Sequence, residues 1–271
     1  KKKLLLVDGN SVAFRAFFAL HNSLERFKNK NGLHTNAIYA FNNMFENVMQ
    51  KEMPTHVLVA FDAGKTTFRT EFYSEYKAGR SKTPGEFKEQ MPYIRELLEG
   101  LGVKYYELPN YEADDIIGTL ANKVDKDEFD VVVLSGDRDL TQLATDTVKV
   151  DITVKGVIDI ESYTPEHIAE KYDGLTPKQI IDMKGLAGDT SDNIPGVTKI
   201  GEKTAIKLLK QYGSVEGVYE NIDEMKKSKM KENLINDKEQ AFLSKRLATI
   251  EVNAPVEVNV EDLAYEGKNL E

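Results

Sequence analysis

The chain carries nine carboxylates at positions where strand-like runs end or where turns begin. They are Asp8, Asp62, Glu112, Asp114, Asp115, Asp137, Asp139, Asp189 and Asp192. Apolar runs of strand length stop at some of these acids, and two acidic clusters open a helix and a loop. Because the carboxyl ends of buried parallel strands meet in the crevice where α/β sheets bind ligands, we expect the nine side chains to converge there.

Carboxylates packed this closely repel one another, and bound cations relieve the repulsion. Oxygen ligands without cysteine or clustered histidine suit Mg²⁺ or Mn²⁺. The chemistry that follows is metal-assisted hydrolysis, with a phosphodiester as the expected substrate. A simpler interpretation is that the acids of residues 112–115 cap a helix and that Gly136-Asp137 forms a turn. Three acids in four residues exceed what capping requires.

Alternating strand and helix patterns over residues 1–165 predict the elements that position these acids. Apolar runs predict strands at 4–8, 57–62, 104–108, 130–135, 148–152 and 157–160. Helical patterns lie between most of them, so we expect an α/β domain with a mostly parallel twisted sheet flanked by helices. Thr164-Pro165 is a helix start, and residues 166–271 are predicted to form a second, mainly helical region ending in a segment without clear pattern.

Composition limits the alternatives. The 271 residues are 41% hydrophobic, contain no cysteine and have no apolar run long enough for a transmembrane helix. The basic start Lys1-Lys2-Lys3 precedes an apolar stretch that is too short for a signal peptide, which favours a first strand. The net charge of −9 is unusual for a nucleic-acid-binding protein, but nine acids in one cleft would account for all of it.

Positive charge is concentrated in two segments, residues 65–82 and 199–210. Such stripes are typical of nucleic-acid-binding surfaces, although a lysine run is more often a solvated helix face. In the first stripe, Phe68, Phe72, Tyr73 and Tyr76 lie among the basic residues, which suits stacking on single-stranded bases or a helix core.

The second stripe follows a turn that contains Gly196 and Gly201. Outward-pointing backbone N–H groups in such a turn would bind a phosphate before the next helix begins. The alternative is a plain connection between helices.

Several of these motifs together resemble a known family. Along essentially the whole of its 271 residues, the chain is similar to the 5′ nuclease (flap endonuclease) domain found at the N-terminus of bacterial DNA polymerase I. The motifs are Val7-Asp8-Gly9-Asn10-Ser11 with Phe14-Arg15, Ala60-Phe61-Asp62, Tyr76-Lys77-Ala78-Gly79-Arg80, Tyr111-Glu112-Ala113-Asp114-Asp115, Ser135-Gly136-Asp137-Arg138-Asp139, and Gly188 through Ala205.

The resemblance implies a PIN-like 5′ nuclease fold with two or more Mg²⁺ or Mn²⁺ ions. It assigns Asp8, Asp62, Glu112, Asp114 and Asp115 to one ion, and Asp137, Asp139, Asp189 and Asp192 to the other, with some acids binding through water. Residues 65–92 would form a helical arch over a single-stranded 5′ end. Lys77, Arg80 and Arg15 would contact the scissile phosphate, and Tyr76 would stack on a base.

The same resemblance places a helix-three-turn-helix at residues 184–210. It would bind duplex DNA through Lys184, Gly196, Lys199, Gly201 and Lys203. Main-chain carbonyls of Leu186, Ala187, Pro195, Val197 and Ile200 would hold K⁺.

The implied function is a 5′→3′ exonuclease and flap endonuclease. Its substrates would be DNA with 5′ flaps, nicks or ends, and RNA-primed DNA. The implied location is cytoplasmic and nucleoid-associated, with no membrane contact. The chain is either excised from a polymerase or a stand-alone homologue. A PIN-type ribonuclease and a DNA-binding module with an inactive metal site remain as alternatives. The helical region counts against the first alternative, and the complete set of acids counts against the second.

Overall fold

The computed structural model describes residues 1–78, 83–155 and 159–267. Within them, six strands form one sheet in the order β3-β2-β1-β4-β5-β6. The strands are β1 (Lys2–Asp8), β2 (His56–Phe61), β3 (Lys104–Glu107), β4 (Phe129–Ser135), β5 (Val148–Lys155) and β6 (Asp159–Tyr163). All neighbours pair in parallel except β5 and β6, which are antiparallel. The prediction of a mostly parallel sheet is confirmed.

The central strand β1 is apolar on both faces because helices cover both faces of the sheet. Leu4 and Leu6 belong to one hydrophobic core, and Leu5 and Val7 belong to the other. This alternation follows from the two-residue period of a strand. A parallel sheet buried on both sides therefore explains why the strand patterns are continuous apolar runs.

Helices of the first half lie between the strands or beside the sheet. They are α1 (Gly9–Ala19), α2 (Asn36–Glu52), α3 (Phe68–Phe72), α4 (Gly85–Lys88), α5 (Met91–Gly100) and α6 (Ala113–Lys123). Helices α1, α2 and α5 pack on the core that contains Leu5, and α6 packs on the opposite core.

The predicted arch segment, residues 65–92, contains only the short helices α3 and α4 and the first two residues of α5 within its described part. Residues 79–82 lie outside the described residues. The arch therefore stays a prediction.

The second half of the chain is mainly helical. It contains α7 (Pro165–Lys171), α8 (Gln179–Ala187), α9 (Glu202–Tyr212), α10 (Val215–Glu220), α11 (Lys229–Asn236) and α12 (Lys238–Ala248). Buried residues of α8, α9 and α12 join the core beneath α6, so this region packs directly on the sheet domain. No helix among the described residues is both long and apolar enough to span a membrane.

The segment after α12 has little regular secondary structure and returns along α6. The hydroxyl of Thr119 on α6 accepts a hydrogen bond from the N–H of Ala254 at 3.0 Å and donates one to the carbonyl of Glu251 at 3.2 Å. Further on, the N–H of Tyr265 donates to the carbonyl of Thr55, just before β2. Backbone hydrogen bonds therefore fix this segment along the protein surface.

Candidate active site

The carboxyl ends of β1, β2 and β4 form one edge of the sheet, and acids stand at or just after each end. Asp8 is the last residue of β1 and the N-cap of α1, where it accepts from the N–H of Ser11 at 3.3 Å. The Ser135 hydroxyl, at the end of β4, donates to Asp8 at 2.8 Å. Asp62, after β2, accepts from the N–H of Ala113 at 2.7 Å. These bonds tie three strands and the start of α6 into one acidic cleft.

Asp137 and Asp139 follow β4 in a tight turn. Asp137 accepts from the N–H of Asp139 at 2.9 Å, and its own N–H donates to the Ser135 hydroxyl at 2.9 Å. Gly136 permits the close approach of α1, because a Cβ there would lie 2.8 Å from the Ser11 hydroxyl oxygen. The turn therefore aims both acids at the cleft.

Asp139 meets two acids from the helical half of the chain. Ligand oxygens of Asp139, Asp189 and Asp192 all lie within 4.8 Å of one another. Asp189 and Asp192 belong to the short loop after α8, where a 3₁₀ turn spans Thr190–Asp192. Three converging carboxylates form a donor set that suits a hard divalent cation.

Several carboxylates are buried and crowd one another in the cleft, and their pKa values are raised as a result. Burial raises the pKa of Asp8 to about 7, with further contributions from Asp62 and Asp137. Burial and then Asp137 raise the pKa of Asp139 to about 7. Burial, followed by Asp137 and Asp8, raises the pKa of Asp114 well above its usual value. The acids influence one another across the cleft, so a bound cation would relieve several of them together.

Asp115 differs from its prediction as a metal ligand. It is fully buried, and both of its carboxylate oxygens accept from the Arg69 guanidinium at 2.9 Å. It also accepts from the N–H groups of Glu112 and Glu251. With both oxygens engaged by these donors, Asp115 is an ion-pair partner of Arg69 in this structure rather than an open ligand.

Arg69 is a residue that the sequence analysis assigned only to a basic stripe. Its side chain is buried, pairs with Glu112 at 2.5 Å, and donates to the carbonyls of Leu247 and Thr249. Burial alone would lower the pKa of Arg69, but Asp115 and Glu112 raise it. The run Phe68-Arg69 offers no signal that separates this arginine from its solvated neighbours.

Lys77 reaches the edge of the cleft, and its predicted contact with the scissile phosphate stays a prediction. Its ammonium group pairs with Glu112, and its backbone N–H donates to the carbonyl of Asp192 at 2.7 Å. Burial would lower the pKa of Lys77, but Glu112, Tyr76 and Asp114 raise it well above its usual value. Lys77 therefore stays protonated, and in this conformation Glu112 engages its charge.

The other two predicted phosphate contacts are less defined. Arg15 lies on α1, and its guanidinium donates to the carbonyl of Val154 at 3.3 Å. Its side chain also passes close to Gly136. Arg80 lies outside the described residues.

Tyr76 also differs from its prediction. Only 8% of the residue is exposed, and it packs with Ile194 and Leu247 in a small hydrophobic cluster. Burial is the main cause that raises its pKa. A buried ring does not offer a free face for stacking on a base in this conformation.

The predicted helix-three-turn-helix corresponds to α8, a loop over residues 188–201, and α9. Gly196 in the loop lies in close contact with the end of α8. A Cβ atom added at Gly196 would lie only 2.7 Å from the carbonyl carbon of Ala187. The N–H of Gly196 donates to the buried hydroxyl of Ser244 at 2.8 Å. It therefore does not point outward as the phosphate donor that the sequence suggested. Gly201 is exposed and precedes α9.

The lysines of this region divide into two kinds. Lys199 and Lys203 are exposed, as a duplex contact requires. Lys184 instead points to the acids, with its ammonium 2.9 Å from Asp189 and 3.3 Å from Asp139. Its prediction as a DNA contact is corrected for this conformation, since the cleft carboxylates already engage the charge.

The predicted K⁺ site stays a prediction, although the segments that carry its carbonyls lie in contact. The N–H of Val197 donates to the carbonyl of Leu186 at 2.8 Å. A Cβ at Gly188 would lie 2.8 Å from the carbonyl oxygen of Pro195. The N–H of Ile200 donates to the carbonyl of Val197. The crossing of residues 186–188 with 194–197 is therefore a compact turn rather than an open hairpin.

Comparison with known proteins agrees with this geometry. Residues 3–173 match the family model described as the 5′-3′ exonuclease N-terminal resolvase-like domain, and residues 175–271 match the 5′-3′ exonuclease C-terminal SAM fold. The chain belongs to the 5′-3′ exonuclease family. Its relatives include DNA polymerase I of Streptococcus pneumoniae strain R6, 62% identical over 271 residues, which are all of this chain and 31% of that protein. DNA polymerase I of Bacillus subtilis is 61% identical over the same length, which is 30% of that protein.

Solved structures of lower identity share the fold. The T5 5′-exonuclease with bound zinc superposes with a TM-score of 0.75 at 24% identity, covering 93% of this chain and 90% of that one. A T5 D15 flap endonuclease complex with DNA and metal ions superposes at 0.74 with 23% identity, covering 93% and 90% of the two chains. The chain spans less than a third of the length of its polymerase relatives, so it matches one part of those proteins.

Proposed function

We propose that this chain is a metal-dependent phosphodiesterase that acts as a 5′→3′ exonuclease and structure-specific 5′ flap endonuclease. Its substrates are DNA with 5′ flaps, nicks or ends, and RNA-primed DNA in replication and repair. The observation that carries the proposal is the convergence of Asp139, Asp189 and Asp192 beside the buried acids of the sheet edge. Family membership and polymerase relatives that match the whole chain support it.

The cofactor is proposed to be Mg²⁺ or Mn²⁺, with two or more ions. Asp139, Asp189 and Asp192 would hold one ion, with Asp137 beside them. Asp8, Asp62 and Asp114 would serve another, and Glu112 would join them once its basic partners move. When bound, such ions lower the pKa of an attacking water and stabilise the leaving oxygen. The carboxyl groups with raised pKa values must lose their protons to bind a cation, so cation binding would release protons from the cleft.

Lys77 is proposed to stabilise the reacting phosphate. In the free protein its ammonium pairs with Glu112 at the edge of the cleft. A phosphodiester entering the cleft would compete with Glu112 for this charge. Charge placed where negative charge develops accelerates such reactions. Arg80 and Arg15 stay predicted as further contacts to the same phosphate.

Duplex DNA is proposed to bind the surface formed by the 188–201 loop and the start of α9. Lys199 and Lys203 are exposed there, and backbone carbonyls of the crossed turn would hold K⁺. Lys184 would keep Asp139 and Asp189 in place. A polymerase region attached after this chain, and a cytoplasmic location beside the nucleoid, complete the proposal.

The test is cleavage of a labelled double-flap DNA with Mg²⁺, and again with EDTA. We expect cleavage near the base of the flap with Mg²⁺ alone, and none by Asp139→Asn. A matched single-stranded RNA distinguishes the PIN-type ribonuclease, which would cut the RNA and spare the flap. Binding of the flap without any cleavage in Mg²⁺ or Mn²⁺ would show an inactive DNA-binding module instead.

A further inference from the structure

Two left-handed residues lie opposite each other where the base of the predicted arch meets the acidic loop. Lys77 has a φ of 59°, and Asn193 has a φ of 56°. Residues 73–78 are called the arch base here, and residues 189–194 are called the acidic loop. Hydrogen bonds join the described parts of these segments, and each left-handed residue takes part in one of them.

The first bond runs from the arch base to the loop, and the second runs back. The N–H of Lys77 donates to the carbonyl of Asp192 at 2.7 Å. The side-chain amide of Asn193 donates to the carbonyl of Glu75 at 2.7 Å. Tyr76, between these contacts in sequence, packs on Ile194 of the loop. The arch base is therefore docked on the loop that carries two acids of the site.

Position 193 requires a residue that adopts a left-handed backbone conformation and has a side-chain hydrogen-bond donor, and asparagine meets both requirements. It tolerates the left-handed conformation better than most residues with a side chain, and its amide supplies a donor. Glycine would accept the backbone conformation but would lose the donor. Aspartate would keep the shape but would offer only acceptors to the Glu75 carbonyl.

We propose that Asn193 is a positioning residue that docks the arch base on the acidic loop and thereby directs Lys77 into the cleft. This inference rests on the proposed function, because Lys77 is the group through which Asn193 acts. When the docking bond is lost, Lys77 keeps its chemistry but spends less time directed at the reacting phosphate. Asn193 itself need not touch the substrate.

Amide hydrogen exchange, measured without added metal, tests whether the arch base is docked on the acidic loop and does not depend on catalysis. Hydrogen exchange of the Lys77 amide reports the bond to Asp192, and we expect Asn193→Gly to exchange at least several-fold faster than wild type. Asn193→Asp should behave in the same way, and it keeps the test valid if the glycine variant is too unstable. Met53→Gly is the matched control, because Met53 is also left-handed but is exposed at the end of α2. Unchanged exchange at Lys77 in both Asn193 variants would overturn the proposal.

A double-mutant cycle tests the route through Lys77. We expect Asn193→Gly to slow single-turnover flap cleavage about tenfold, which corresponds to one hydrogen bond. In a Lys77→Ala background the same change should have little further effect, and affinity for flap-free duplex DNA should be unaltered. Equal slowing in both backgrounds would overturn the proposal, since Asn193 would then act on the metal acids directly. Absence of Mg²⁺-dependent cleavage by wild type would refute the proposed function, while the exchange measurement would still decide the docking.

Discussion

Replacing Arg69 with methionine should be among the most destabilising single changes in this protein. Arg69 is 2% exposed, and its guanidinium pairs with Asp115 through two bonds and with Glu112 through one. It also donates hydrogen bonds to the carbonyls of Leu247 and Thr249. Methionine fills much of the same volume, so the loss is mainly electrostatic.

The magnitude follows from what remains buried after the change. Removing one partner of a buried ion pair typically costs about 3–5 kcal/mol, because the other charge is left without compensation. Here two carboxylates lose a partner, so we expect at least the middle of that range. With a loss of roughly 2–4 °C for each kcal/mol in a chain of this size, the melting temperature should fall by roughly 8–20 °C.

The assay is urea unfolding of the metal-free protein, with Arg95→Met as the matched control. Arg95 pairs with Glu107 near the surface, where such a pair is typically worth about 0–1 kcal/mol. Burial would raise the pKa of Glu112, but Lys77 and Arg69 lower it. Its stabilising contribution is therefore present at neutral pH and lost as the pH falls through its folded pKa. The deficit of the variant should shrink in acid, and a loss equal to that of Arg95→Met would refute the reasoning.

Three further predictions concern the cleft and the DNA surface. Lys77→Ala should lower the single-turnover cleavage rate by about 10²–10³ while changing DNA affinity little, as measured at saturating enzyme. Lys199→Ala with Lys203→Ala should weaken duplex binding and reduce the log–log salt slope by about one unit per lost contact, as measured by dissociation constants against KCl. The pKa values of Asp8 and Asp139 are raised to about 7 in the folded protein. Between about pH 4 and pH 7 the folded state therefore binds more protons at these two groups than the unfolded state does, and the stability of the protein without Mg²⁺ falls as the pH rises. The rise in melting temperature caused by Mg²⁺ should therefore be larger at pH 8 than at pH 5.5, and equal rises would contradict this account.

The sequence predicted the sheet and the location of most acids because both depend on local pattern. A strand buried on both faces must be apolar along its length, and an acid at its carboxyl end must face the crevice. Asp8 and Asp62 follow that rule directly. Asp189 and Asp192 do not end a strand. The sequence predicted that they reach the cleft, but only the family resemblance grouped them with Asp139, because their position depends on how α8 packs against the sheet.

Local sequence pattern could not predict the roles of three residues, Asp115, Tyr76 and Lys184, and the reason is the same for each. Each depends on a partner distant in sequence, namely Arg69 for Asp115, Leu247 for Tyr76, and Asp139 for Lys184. A carboxylate in the first turn of a helix has the same sequence signature whether it binds a cation or an arginine. Tertiary packing decides between these, and residues 247–251 supply much of that packing around Arg69.

The distribution of positive charge around the cleft indicates where a cation is needed. Arg69 and Lys77 both pair with Glu112 and lower its pKa. By contrast, burial and neighbouring carboxylates keep the pKa values of Asp8 and Asp114 raised, and the pKa of Asp139 is raised even though Lys184 lies 3.3 Å away. Compensation is therefore more complete around Glu112 than around Asp8, Asp114 and Asp139 at the centre of the cleft. Because a lysine or arginine at the centre would occupy the space that a phosphate must enter, a small divalent cation is the form of positive charge that suits this position.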